Sequence, residues 1–103
     1  MGRFKGKGHD RSDITLWLVS NGFFYRNGTS PSTTGYRKAF AMPGEPCHVW
    51  ITVNLDDMII YVFKEYDGGG KKAGCTIAVK EEWMQNRDVF INAVDERLIE
   101  WIG

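Results

Sequence analysis

The sequence predicts an α+β domain, in which a mainly antiparallel sheet of five to six strands has a C-terminal amphipathic helix packed on one face. Two patterns lead to this fold class. Short segments rich in β-branched and aromatic residues are separated by Gly, Pro, Asn and Asp, which is typical of antiparallel sheets. Apolar residues close to the C-terminus recur instead at helical spacing. The 103 residues, 43% of them hydrophobic and 25% charged, are enough for one folded domain.

The first 13 residues are predicted to form a flexible basic arm, followed by a single α+β domain over residues 14–103. Apart from Met1, Phe4 is the only large apolar side chain of this arm, among Gly, Lys, Arg and Asp. Burial therefore cannot order the segment, which is the usual condition of an unstructured terminus.

A β-hairpin is predicted directly after the arm. Ile14–Val19 presents apolar residues on both alternating faces, as in a strand that is covered on each side. Asn21 and Gly22 then lead into Phe23–Arg26. Because Asn and Gly both tolerate positive φ, this pair between two apolar runs indicates a tight hairpin turn.

Further strands are expected in the middle of the chain. They are Tyr36–Phe40, Val49–Leu55, Met58–Tyr66 and Thr76–Val79. In Val49–Leu55 apolar and other residues alternate, which predicts one apolar face of Val49, Ile51, Val53 and Leu55. Asp56 and Asp57 predict a tight turn, and residues 67–72 predict a glycine-rich loop. Whether the sheet closes into a barrel is left open by the sequence.

Residues 81–102 are predicted to form the C-terminal helix. Trp83, Phe90 and Val94 belong to an apolar series with helical spacing, and Glu81 lies in the first turn, where the helix dipole favours an acid. The competing interpretation is a break near residues 86–88 followed by a terminal strand, since the residues after it have β character.

Catalysis and metal binding find little support among the histidines and cysteines. Cys47 and His48 are adjacent, so in a strand their side chains lie on opposite faces and cannot form a nucleophile–base pair. No Cys or His spacing typical of zinc sites occurs. We therefore predict no enzyme activity, no catalytic or metal-binding residues and no cofactor. Cys47 and Cys75 are expected to be thiols, with a disulfide between them left open.

The expected location is the cytoplasm, without membrane association. The longest apolar run, Met58–Phe63, is far shorter than the roughly 20 residues needed to span a bilayer. No apolar segment follows the first basic residues, as it would in a secretory signal.

Basic and aromatic residues are concentrated in the first third of the chain. Residues 1–38 hold seven Lys and Arg against two acids, whereas residues 39–103 hold six against eleven. Cations neutralise phosphates and flat rings stack on bases, so the leading hypothesis is a non-enzymatic module that binds nucleic acid, preferably single-stranded. The predicted binding residues are Arg3, Lys5, Lys7, Arg11, Tyr25, Arg26, Tyr36, Arg37 and Lys38.

The alternative hypothesis is a protein-binding module of the inhibitor or immunity type that covers a partner protein. Four tryptophans could anchor such an interface, and the acidic second half could dock on a basic partner. Exposed strand edges also make weak homodimerisation an expectation.

Overall fold

The computed structural model describes residues 11–102, and of residues 71–73 and 102 it describes the backbone. The helices and strands, in chain order, are α1 (Arg11–Ser20), β1 (Phe24–Arg26), a 3-10 helix (Pro31–Thr33), β2 (Gly35–Ala41), β3 (Cys47–Asn54), β4 (Ile59–Tyr66), β5 (Lys71–Ala78), a second 3-10 helix (Glu81–Gln85) and α2 (Arg87–Ile102). They form two compact units. Residues 22–78 make a sheet unit, and residues 11–21 with 79–102 make a helical unit.

Within residues 11–102, the five strands form one sheet in the order β1-β2-β3-β4-β5, and every neighbouring pair is antiparallel. The α+β class, the antiparallel sheet and the C-terminal helix are thus confirmed. The sixth strand is absent from the described part of the chain. The packing of α2 on a sheet face stays a prediction.

The predicted strand Ile14–Val19 is wrong, because these residues belong to α1. The buried side chains are Ile14 and Leu18, which are four residues apart, whereas Leu16 and Val19 are exposed. That spacing is helical, and apolar residues at neighbouring positions concealed it in the sequence. Helix α1 also includes Arg11, so the end of the predicted arm is helical, while residues 1–10 lie outside the described part.

The predicted hairpin at Asn21-Gly22 is wrong for the same reason. The Asn21 N–H bonds to the carbonyl oxygens of Trp17 and Leu18, and the Asn21 side chain donates to the Trp17 carbonyl at 2.8 Å. Gly22 follows with φ +90°. A residue in this conformation commonly ends a helix, so the Asn-Gly pair terminates α1 instead of joining two strands.

Strands β3 and β4 form the centre of the sheet, and their register explains its burial. Ile51 lies opposite Val62, and Val53 lies opposite Ile60. Residues directly opposite each other in an antiparallel pair share a face, so these aliphatic side chains form one surface with Val49. All five are at most 6% exposed. We call this surface the buried face.

The turn between β3 and β4 confirms the one predicted at Asp56-Asp57. The Asp57 N–H donates to Asn54 Oδ1 at 2.9 Å, and Asn54 Nδ2 donates to Asp57 Oδ2 at 3.0 Å. Asn54 Nδ2 also donates to the Pro31 carbonyl at 3.0 Å. These bonds satisfy a buried amide and fix the turn that sets the strand register.

The C-terminal segment is neither one continuous helix nor a helix followed by a strand. The 3-10 helix Glu81–Gln85 is followed by Asn86, which lies outside both helices, and α2 begins at Arg87. Asn86 Oδ1 accepts from the Val89 N–H at 3.0 Å, which is the geometry of an N-cap. The break predicted near residues 86–88 is therefore present, but a second helix follows it. Trp83, Met84 and Phe90 are buried in this helical unit.

Among the residues that the structure describes, no helix combines the length and the apolar character needed to cross a lipid bilayer.

Candidate functional site

The side of the sheet opposite the buried face carries a cluster of aromatic and charged residues, which we call the aromatic face. Its central side chains are Arg37 on β2, Trp50 on β3, and Tyr61, Phe63 and Glu65 on β4. All five are half-buried. They alternate along each strand with the residues of the buried face, because successive side chains of a strand lie on opposite sides.

The register places these residues in rows across the sheet. One row crosses all five strands and consists of Phe24, Arg37, Thr52, Tyr61 and Thr76. The next row consists of Ala39, Trp50 and Phe63, and a third consists of Ala41, His48, Glu65 and Lys71. Aromatic residues on β3 and β4 are therefore flanked by the cation Arg37 on one side and by the anion Glu65 on the other.

Trp50 is held between these two charges. The Arg37 Cζ atom lies 4.6 Å from the centroid of the indole ring, in a cation–π contact. The indole Nε1 donates to Glu65 Oε1 at 2.9 Å. Arg37 Nε is buried and has no hydrogen-bond partner among the described residues, and the electron-rich indole face lies beside the same guanidinium. The two contacts fix the orientation of the ring.

Tyr61 and Phe63 extend the ring surface along β4. Their centroids are 5.7 Å apart, with an angle of 36° between the ring planes. Thr52, which lies opposite Tyr61, is 2% exposed. The aromatic face is thus closed to solvent at Thr52, and the exposed fraction of its centre belongs to the half-buried side chains around it.

A β-bulge lies beside Phe63. Val62 pairs with Cys75 and Lys64 pairs with Lys72, so the one residue between them on β4 faces two on β5. One of those two is Gly74. A Cβ atom at Gly74 would overlap the Val62 carbonyl oxygen and would approach Phe63 Cβ to 2.8 Å. Only a residue without a side chain fits there.

At the β1 edge, the aromatic face ends in Phe24 and Arg26. Phe24 lies opposite Arg37 and is 47% exposed. Arg26 is exposed and has no salt-bridge partner among the described residues. This edge therefore adds a ring and an exposed guanidinium to the aromatic face.

The structure divides the predicted binding residues between the two sides of the sheet. Arg26 and Arg37 lie on the aromatic face, whereas Tyr25, Tyr36 and Lys38 alternate with them and lie on the other side. There, Tyr25 and Tyr36 stack edge to face at 5.2 Å.

The remaining predicted binding residues lie away from the aromatic face or outside the described residues. Lys38, on the side opposite the aromatic face, places Nζ 5.0 Å from the Phe40 centroid and 5.8 Å from that of Phe23. Arg11 is in α1 of the helical unit. Arg3, Lys5 and Lys7 lie outside the described residues.

Sequence reasoning missed Phe24, Trp50, Tyr61, Phe63 and Glu65 as site residues. The alternation in Val49–Leu55 already placed Trp50 on the side opposite the apolar residues. What was missing was the pairing of β3 with β4, which brings Phe63 beside Trp50 and Glu65 within reach of the indole.

The two cysteines lie on the side of the sheet that carries the buried face, away from the aromatic residues. Both are free; Cys47 is buried and Cys75 is half-buried. Burial raises the pKa of both thiols, and the Glu45 carboxylate raises that of Cys47 further. A raised pKa lowers the thiolate fraction, which is unfavourable for nucleophilic chemistry.

No group of three or more metal-ligating side chains occurs within the described residues.

Comparisons of this chain with protein-family models, with curated proteins and with solved structures find no match.

Proposed function

We propose that this protein binds single-stranded nucleic acid on the aromatic face of its sheet. The observation that carries the proposal is the stack of Arg37 on Trp50 beside Phe63, in a half-buried platform on the central strands. An unstacked base presents a flat π surface to such rings, whereas a duplex hides its bases.

The platform supplies the two contacts that a single strand needs. Rings provide stacking, worth about 1–3 kcal/mol for each base, without reading the sequence. Guanidinium groups neutralise phosphates, and a planar guanidinium can itself stack on a base. Arg37 offers one such group at the centre of the face, and Arg26 offers another at the edge.

Direct titration of labelled oligonucleotides tests this proposal. Fluorescence anisotropy of short single-stranded RNA and DNA would be measured at about 50 mM and about 200 mM salt, where phosphate contacts change affinity most visibly. We expect single strands to bind more tightly than a duplex of the same length, and salt to weaken the binding.

Two pairs of variants locate the site. Arg37→Ala should weaken binding and lower the salt slope by about 0.7, the value for one phosphate contact on a single strand. Its control is Arg87→Ala on α2, which removes the same charge from the helical unit.

Phe63→Leu should weaken binding about 5-fold or more through lost stacking, whereas Phe40→Leu, on the opposite side of the sheet, should not. Absence of binding at low salt, or equal losses within each pair, would refute the proposal.

Protein binding is the second candidate, and exposed apolar side chains on α1 favour it. Leu16 is 64% exposed and Val19 is 53% exposed, on a shallow surface shared with Thr15. If this surface serves a separate protein partner, Leu16→Ser should leave oligonucleotide affinity unchanged. An equal loss of affinity in Leu16→Ser and Phe63→Leu would place both in one function.

A further inference from the structure

Glu65 is a carboxylate on a surface that, under the proposed function, receives a polyanion. It follows Phe63 by two positions on β4, on the same face, and lies opposite His48 on β3. Its Oε1 accepts the hydrogen bond from Trp50 Nε1 at 2.9 Å. A negative charge here opposes phosphate binding, so this carboxylate favours a ligand group that donates hydrogen bonds to it.

An ionised carboxylate only accepts hydrogen bonds, and its two oxygens offer about four acceptor sites. One bond to the indole therefore leaves acceptor capacity for a ligand. Among the four bases, guanine alone presents two neighbouring N–H donors, N1–H and N2–H, on its Watson–Crick edge. Adenine and cytosine present one amino group beside an acceptor nitrogen, and uracil presents one N–H between two carbonyls. A carboxylate thus complements guanine best.

The positions of the side chains suit this recognition. Residues two apart on one face of a strand are separated by about 6.6–6.8 Å. This spacing is comparable to the width of a base, so a base stacked on the Phe63 ring could extend its edge toward Glu65. The indole hydrogen bond restrains the carboxylate before the ligand arrives, which reduces the conformational entropy lost on binding.

We propose that Glu65 makes this surface selective for guanine in single-stranded nucleic acid, by accepting hydrogen bonds from N1–H and N2–H of a base stacked on Phe63. This inference rests on the proposed function and names the base that the same site prefers. The Glu65 carboxylate repels phosphates. It therefore weakens the binding of strands that offer it no hydrogen-bond donors, and this contributes to the selectivity.

The test compares single-stranded RNA hexamers of uridine that carry one central guanosine, inosine, adenosine or cytidine, together with all-uridine RNA. We expect the guanosine strand to bind at least tenfold more tightly than the all-uridine strand. Inosine lacks the N2 amino group and should fall between them. These affinities would be measured by anisotropy, with the oligonucleotides below the concentration at which guanosine strands associate.

Glu65→Gln is the decisive variant. Glutamine retains an oxygen that accepts from Trp50 Nε1, so the indole contact and the fold can persist, which near-ultraviolet circular dichroism verifies. We expect the variant to lose most of the preference for guanosine and to bind all-uridine RNA as well as the parent or better. Asp88→Asn, which removes one exposed carboxylate from α2, is the matched control and should keep the preference.

The outcomes separate this inference from the proposed function. Binding of every hexamer with equal affinity overturns guanine selectivity and leaves the proposed function standing. A guanosine preference that survives in Glu65→Gln overturns the role of Glu65. Failure of all hexamers to bind overturns the proposed function itself, and the present inference with it.

Discussion

The two faces of the sheet are built from the same strands and differ in what their side chains leave accessible. On the buried face, aliphatic residues such as Ile60 and Val62 are fully enclosed. On the aromatic face, Trp50 and Phe63 are half-buried, and charges of both signs contact or adjoin the indole. One face thus removes its aliphatic side chains from water, while the other keeps oriented rings and hydrogen-bonding groups partly exposed.

The largest expected effect comes from truncating neighbouring isoleucines on β4. Ile60 on the buried face is 0% exposed, whereas Ile59 on the aromatic side is half-buried. Ile60→Ala should lower the free energy of unfolding by about 2–5 kcal/mol, since it leaves a cavity in a closed core. Ile59→Ala should cost clearly less. Urea denaturation measures both, and equal losses would contradict the division into a buried and an accessible face.

A smaller loss of stability is expected from a substitution at the β-bulge. There, the backbone of Gly74 lies close to the Val62 carbonyl oxygen. Gly74→Ala would force a Cβ atom against the Val62 carbonyl oxygen and should lower the free energy of unfolding by about 1–3 kcal/mol. Gly68→Ala, in the open loop before β5, meets no atom within 4 Å and should change stability by about 0.5 kcal/mol or less. Thermal denaturation of the two variants compares them. Similar melting temperatures would show that the backbone at Gly74 accepts a Cβ atom and that the close approach to Val62 does not limit β5.

The smallest expected effect concerns pH and the buried face. Burial and then Glu45 raise the pKa of Cys47, so the unfolded chain releases this proton more readily than the folded protein. The thiol therefore contributes stability that is present below the unfolded pKa and is lost as pH rises through the folded pKa. Urea denaturation at about pH 8 and about pH 10, on either side of the ordinary thiol range, should show a smaller alkaline loss in Cys47→Ala than in the parent. An unchanged alkaline loss would mean that the thiol is not buried in solution.

Much of the sheet was predictable because its strands alternate visibly. Val49–Leu55 follows period two, so β3 and its apolar face could be derived from the sequence. Residues 16–19 carry apolar side chains at consecutive positions, and with Ile14 they fit both a strand and a helix, so only packing selects Ile14 and Leu18 as the buried pair. Asn21-Gly22 fits either a hairpin or a helix end. Local chemistry could not decide between them.

The candidate site was less predictable, for a physical reason. Arg26 and Arg37 could be chosen from composition, but alternation then places Lys38 on the other side of the sheet. The contact between Trp50 and Glu65 joins positions 15 residues apart and depends on the β3–β4 register. That register depends on the apolar pattern of both strands and on a turn tied by the buried Asn54, whose hydrogen bonds a single sequence does not reveal.

The placement of the tryptophans makes the two units optically separable. Trp17, Trp83 and Trp101 belong to the helical unit, while Trp50 is the one indole of residues 22–78. The emission of the parent protein minus that of Trp50→Phe would therefore isolate the signal of a single ring, at the centre of the platform. Its wavelength and quenching would report on the polarity and occupancy of that spot, independently of events among the helices.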